Sequence, residues 1–410
     1  MRKDNYRWSV VGMLWSIAFF NYADRQAVFA VFPLLEKELH LGPVQLGLLG
    51  SSFAITYGLC APFAGAIVDR VRRVAAILWG LYIWSLICVA TAASRTFGQL
   101  LGFRAAEGLG ETLYFPASMS LISAWHTGAT RSRAMGLHQT SVYVGTIAGG
   151  SLAGLIAQTW GWRWSFLVFG SAGILLGVLL HRFLREPAEG SAAAPPPAPL
   201  SQAVGLLRTP TVRCLMAAFL GANFVAVVLL SWMPKFLYDK FHMTLAMAGF
   251  TATVFVQLAS MLGSPAGGWL ADALRRRSAG GRLIVQAIGV FAGAPFVVLC
   301  GLTSSVTLLI TALICWGFFK GMYDANIFAS VYDVIPAESR GSAAGLMNTI
   351  GWLGGGALAP VTIGVLAKAW GLSAAIAVTG AIYVLAGAVL LLAIFRFVAR
   401  DAGWQVGSLR

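Results

Sequence analysis

Gly65-Ala66-Ile67-Val68-Asp69-Arg70-Val71-Arg72-Arg73 closes one apolar run of the chain, and Gly268-Trp269-Leu270-Ala271-Asp272-Ala273-Leu274-Arg275-Arg276 closes another, 203 positions later. Each stretch sets a glycine, a short apolar segment, an aspartate and a basic cluster in the same order. A second pair repeats at a similar offset. Ser132-Arg133 with Gly136-Leu137 opens one apolar run, and Ser339-Arg340 with Gly345-Leu346 opens its counterpart. Glycines follow in both, as Gly149-Gly150 and Gly354-Gly355-Gly356. An offset near half the chain, with orientation kept, describes two parallel halves, which is a transporter plan with a site between them.

The runs between these markers are membrane spans. Of 410 residues, 58% are hydrophobic and 11% charged, against about 25% charged in a soluble domain. Such a chain cannot cover a water-facing surface, which excludes a soluble enzyme, a disordered chain and a nucleic-acid-binding domain. At about 20 apolar residues per crossing, the sequence reads as twelve spans. The first half holds 9–33, 45–68, 74–93, 97–122, 134–158 and 164–184; the second holds 213–238, 246–271, 282–302, 305–330, 340–367 and 371–396. The expected fold is an all-α polytopic membrane protein. Its domains are a six-helix bundle over 1–184, a cytoplasmic linker over 185–212 and a second bundle over 213–410. The linker contains Pro195-Pro196-Pro197 and Pro199 and has no means of forming a packed core.

Charge gives the orientation. Lys plus Arg is 29 and Asp plus Glu is 15, a net +14. With the N-terminus inside, 20 of the 29 basic residues fall on the inner side and six on the outer, so both termini are expected in the cytoplasm of a cell (inner) membrane protein. The basic start and the run from Ser9 to Phe20 imitate a signal peptide, but no small-residue cleavage site follows, and the run reads as an uncleaved first span. Cys60, Cys88, Cys214, Cys300 and Cys315 sit in apolar runs without metal-ligand spacing, so free thiols are expected and no metal site.

Residues 65–73 resemble the loop signature of the major facilitator superfamily, G-x-x-x-D-R-x-G-R/K-R/K, and the resemblance extends over essentially the whole chain. Gly65, Asp69, Arg70 and Arg73 match, while Arg72 stands where the family usually has glycine. Gly268, Asp272 and Arg276 form the weaker second copy. The resemblance implies twelve helices in two pseudo-symmetric bundles of six. It also implies a gating role for Gly65, Asp69, Arg70, Arg73, Asp272 and Arg276, as a latch for the outward-open state. The bland alternative is topology-setting charge. Asn21-Tyr22-Ala23-Asp24-Arg25 and Arg104-Ala105-Ala106-Glu107-Gly108-Leu109-Gly110-Glu111 resemble both the anion:cation symporter branch and the spinster-like branch. In those branches the matching acids and arginines couple transport to protons and contact substrate, which implies proton coupling by Glu111 and Asp24 and anion contact by Arg25 and Arg104.

The physical case is separate. A charge inside a bilayer costs from about 2.5 to more than 10 kcal/mol and persists where it has a partner or a wet cavity. Arg104, Glu107 or Gly108, and Glu111 recur at helical spacing and share one face. A carboxylate beside an arginine stays ionised, and one released by a competing anion in a dry interior takes a proton. Asp24, Arg25, Arg104 and Glu107 could equally be a self-satisfied ion-pair network. In the second half Lys320 and Asp324 form an i, i+4 pair, either a substrate site or an internal tie. Tyr57, Gln139, Tyr143, Asn223 and Asn348 are candidate cavity residues, each alone also explicable as helix-to-helix bonding.

The function expected is proton-coupled symport of a small organic anion, a sugar acid or monocarboxylate, by alternating access. The alternative is a spinster-like carrier of lysolipids or other amphipathic molecules. A membrane sensor or enzyme has no nucleophile–base set, phosphate loop or metal-ligand cluster to support it. The expected partners are the substrate anion, protons and the lipid bilayer, with no nucleic acid, a monomeric state, and no cofactor beyond the proton gradient as energy source.

Overall fold

A computed structural model describes residues 3–68, 70–126, 130–187, 205–336 and 339–403, and every regular element among them is helical. The proline-rich part of the expected linker, 188–204, and Asp69 lie outside the described residues. The helices are α1 (Lys3–Ala30), α2 (Phe32–Leu39), α3 (Pro43–Val68), α4 (Arg73–Thr91), α5 (Phe97–Glu111), α6 (Tyr114–Trp125), α7 (Arg131–Trp160) and α8 (Trp162–Phe183). They continue as α9 (Pro210–Phe241), α10 (Leu245–Arg275), α11 (Gly281–Leu302), α12 (Val306–Asp324), α13 (Ile327–Tyr332) and α14 (Arg340–Ile350). A π-helical turn (Gly351–Gly356), α15 (Leu358–Val378), α16 (Gly380–Arg396) and α17 (Val398–Asp401) complete the chain.

Nine helices among the described residues are long and apolar enough to cross a membrane. The three remaining expected spans depart from that standard for local reasons. The first is α1 continued by α2, and Asn21, Asp24, Arg25 and Gln26 dilute its apolar character. The fourth is cut at Thr112–Leu113 into α5 and α6, immediately after Glu111. The twelfth is the short apolar helix Gly380–Arg396.

The internal repeat reappears in backbone detail. α12 breaks after Asp324, as α5 breaks after Glu111, so spans four and ten are both interrupted behind an acidic residue. Thr96 caps α5 by accepting from the Gln99 N–H at 3.3 Å, and Ser305 caps α12 by accepting from Leu308 at 3.4 Å. α7 passes to α8 through Gly161 at φ 91°, ψ 158°; the eleventh span passes to the twelfth through Gly371 at φ 80°, ψ 156°. Nothing crowds either α-carbon, so glycine is required there by the positive φ and not by lack of space.

Packing sorts the chain into two compact units, Met1–Pro197 with Leu230–Thr253, and Ala198–Leu229 with Val254–Arg410. The first has a core of Val10, Leu14, Ile17, Leu81, Trp84, Tyr114 and Leu121. Its helices close on small residues, as membrane helices do. A Cβ at Gly149 would lie 2.2 Å from the Ala23 carbonyl, and one at Gly108 would lie 2.6 Å from that of Phe53. These two approaches bring α7 onto α1 and α5 onto α3. In the second unit Gly351 and Gly355 pack against Phe219 and Asn223.

Arg72, where the family signature has glycine, stands at φ −63°, ψ 129° as the residue before α4. That is ordinary extended backbone, so the arginine is accommodated without strain. All five cysteines are free thiols, but only Cys88 and Cys300 are fully buried.

Candidate transport site

Charged residues of α1 and α5 meet inside the first unit. Arg25 pairs with Glu111, whose side chain is wholly buried. Three rings surround the guanidinium: Tyr22 and Tyr57, each 4.8 Å from it, and Phe53 at 5.0 Å. Arg104 pairs with Glu107 one turn along α5, and its guanidinium lies 5.0 Å from the centre of the Phe53 ring. Ring faces attract cations by about 0.5–2 kcal/mol, most when desolvated. Asp24, 3% exposed, accepts a hydrogen bond from the Cys88 thiol at 3.0 Å. The five ionisable residues expected to act together in the first half are therefore gathered in one cluster.

Sequence reading missed its neighbours. Tyr22 lies one turn before Arg25 on the same helix and could have been taken from that spacing. Phe53 and Cys88 come from α3 and α4 and carry no sequence signal. Of the other candidates, Tyr57 joins the cluster, Gln139 is exposed on α7 and Tyr143 is half-buried there. Also in the first unit, Lys235 pairs with Glu36 and, at 2.6 Å, with Asp239, while Lys37 donates to the Tyr238 hydroxyl at 2.9 Å.

The second unit holds two sets of candidates. Lys320 pairs with Asp324 along α12, and the acid is 44% exposed. A cavity of about 160 Å³ is lined by Phe219, Asn223, Val227, Asn348, Gly351 and Trp352, which brings the two expected asparagines together. Asn223 donates to the Gly351 carbonyl at 2.6 Å, satisfying the backbone where the helix widens into its π turn. Such turns are frequent at functional sites.

The residues expected to gate divide. Arg73 lies 3.8 Å from Glu186, which also accepts from the Val74 N–H at 2.9 Å. Gly65 lies in the last turn of α3, and Arg70 is exposed. In the second copy Asp272 pairs with Arg282 at 3.3 Å, and Arg282 and Arg275 both hold Asp333, at 2.7 and 3.1 Å. Arg276 is exposed. Glu186, Arg282 and Asp333 are thus the partners that the motif by itself did not name.

Membrane-crossing helices in two compact units, with ionisable groups buried among them, describe a multi-pass membrane protein. Residues 14–357 match the Major Facilitator Superfamily, and so does the stretch 237–408. The chain belongs to that superfamily. It is 26% identical to the hexuronate transporter of Bacillus subtilis (strain 168), over 97% of this chain and 96% of that one. It is 27% identical to the protein spinster of Drosophila melanogaster, over 88% of this chain and 62% of that one. The crystal structure of a bacterial homolog of the human lysosomal transporter spinster, inward-facing and unoccupied, superposes with a TM-score of 0.85. The match covers 98% of this chain and 99% of that one at 22% identity.

Proposed function

We propose that this protein carries a small organic anion, a sugar acid in the first instance, across the cell (inner) membrane by proton-coupled symport and alternating access, with both termini in the cytoplasm. The observation that carries the reading is the Arg25–Glu111 pair inside its ring cage. A substrate carboxylate that competes for Arg25 strands Glu111 in a dry environment, where it takes a proton. Anion and proton then travel together. Asp24 assists, Tyr57 and Arg104 complete the first-unit surface, and Asn223 and Asn348 meet hydroxyl groups of the substrate. Lys320 is a cation whose bond to Asp324 a second substrate oxyanion can exchange for its own. Gly65, Asp69, Arg70, Arg73, Asp272 and Arg276 serve the gate. The similarity to a hexuronate transporter over nearly the full length of both chains supports the sugar-acid class.

The test is a thermal-shift screen of purified protein against sugar acids, monocarboxylates, neutral sugars and lysolipids, followed by uptake into proteoliposomes. A ligand that binds only the native state raises the melting temperature. Sugar acids should stabilise, and an inward proton gradient should drive their accumulation. Stabilisation by lysolipids alone would replace this reading with the amphipathic-carrier one.

A further inference from the structure

Asp24, Cys88 and Glu107 come from α1, α4 and α5, yet their polar atoms lie within 4.8 Å of one another and none of the residues is more than 3% exposed. The Cys88 thiol donates to Asp24 Oδ1 at 3.0 Å, with the Phe166 carbonyl as its other acceptor at 3.3 Å. Glu107 engages Arg104 through Oε2, while its Oε1 is shut away from solvent with no hydrogen-bond partner among the described residues. The surrounding ionisable groups are Arg25 and Tyr22 on α1, Tyr57 on α3, and Arg104 and Glu111 on α5. Arg25 answers Glu111 and Arg104 answers Glu107, so three carboxylates face two guanidiniums and Asp24 is the acid left over.

An unpaired carboxylate in such an interior costs several kcal/mol, and two carboxylates side by side without solvent share a proton in preference to both being ionised. One proton removes both faults. Carried on either acid, it makes a donor between Asp24 and the orphaned Oε1 of Glu107, and it leaves the cluster neutral. We infer that Asp24 and Glu107 hold one resident proton in common, with the Cys88 thiol bonded to the same pair. Glu107 is then part of the proton machinery as well as the ion-pair partner of Arg104. The inference rests on the proton-coupled reading above, in which Glu111 receives the incoming proton, and adds where a proton already resides before substrate arrives.

Infrared spectroscopy of the substrate-free protein in lipid tests it. A protonated-carboxyl band should be present at neutral pH, persist in Glu111→Gln, and disappear in both Asp24→Asn and Glu107→Gln. The S–H stretch of Cys88, assigned by its loss in Cys88→Ser, should shift in the same two variants. A carboxyl band lost in Glu111→Gln and retained in Glu107→Gln overturns the inference, as does an S–H band indifferent to Glu107→Gln. Should Glu107→Gln fail to fold, the wild-type protein decides: the carboxyl and S–H bands must change at one common pH, and separate changes or a missing carboxyl band refute the shared proton. Gradient-driven uptake is a separate readout. Its absence with the bands intact defeats the coupling reading alone, and uptake without the bands defeats this inference alone.

Discussion

Arg25 on α1 and Glu111 at the end of α5 are bonded to each other inside a cage of Tyr22, Phe53 and Tyr57, at the point where the fourth span breaks. A substrate anion that competes for Arg25 would open the pair. Glu111→Gln should therefore keep exchange of labelled substrate across proteoliposomes but lose accumulation, with the steady-state ratio falling to about one. Arg25→Lys keeps the charge and loses the planar fork and much of the ring stacking, so affinity should fall roughly tenfold or more, about 1.4 kcal/mol. Accumulation that survives in Glu111→Gln would move the proton site elsewhere.

The proposed role of Lys320 has its own test. Lys320→Ala should abolish the thermal shift caused by carboxylate ligands while the unliganded melting temperature stays within about 2 °C, since an i, i+4 pair contributes only about 0.2–0.5 kcal/mol. Unchanged affinity with a lowered melting temperature would make the lysine an internal tie of α12.

The contact of α1 with α7 is a matter of volume. A side chain at Gly149 meets the Ala23 backbone at 2.2 Å, and backbone cannot yield as a flexible side chain does. Gly149→Val should destabilise the protein by about 1–3 kcal/mol or more, in line with overpacked interiors, and should disturb Asp24 next door. Thermal unfolding in detergent measures the first effect and ligand-induced shift the second.

Asp401 in α17 reaches the start of α9, accepting from the Thr211 N–H at 3.0 Å and the Thr211 hydroxyl at 2.8 Å. Burial pushes its carboxyl up, but the Thr211 bonds and the neighbouring Arg400 outweigh that and hold it below the usual range. A carboxylate lowered by folding stabilises above its unfolded value, about 3.9, and loses that contribution as pH falls through the lower folded value. Protection of the C-terminal segment from protease should therefore be greatest at neutral pH and weaken in acid. Asp401→Asn should lack about 1 kcal/mol of it already at neutral pH, as a weakened helix cap does.

Most of the spans and the charged cluster were legible in the sequence because the bilayer makes them so. A span is a run of apolar residues, and Asp24, Arg25, Arg104, Glu107 and Glu111 stand out within such runs as residues that need a reason. Their partners were another matter. Cys88 and Phe53 are unremarkable in apolar helices, and only the approach of α4 and α3 to α1 and α5 gives them a role. The same applies to Asn223 and Asn348, separate polar residues until α9 packs beside the π turn. The breaks behind Glu111 and Asp324 also escaped notice. Pro116 leaves the Thr112 carbonyl without its helical donor and so marks the first break, whereas Ala325 and Asn326 carry no comparable proline.

A helix pair joined by a single glycine has no slack. At Gly161 and Gly371 the polypeptide changes helix without a spare residue, so the two legs of each hairpin are yoked like the arms of tweezers. A tag or epitope inserted at either place would part the two legs, and a label attached to one leg reports the tilt of both.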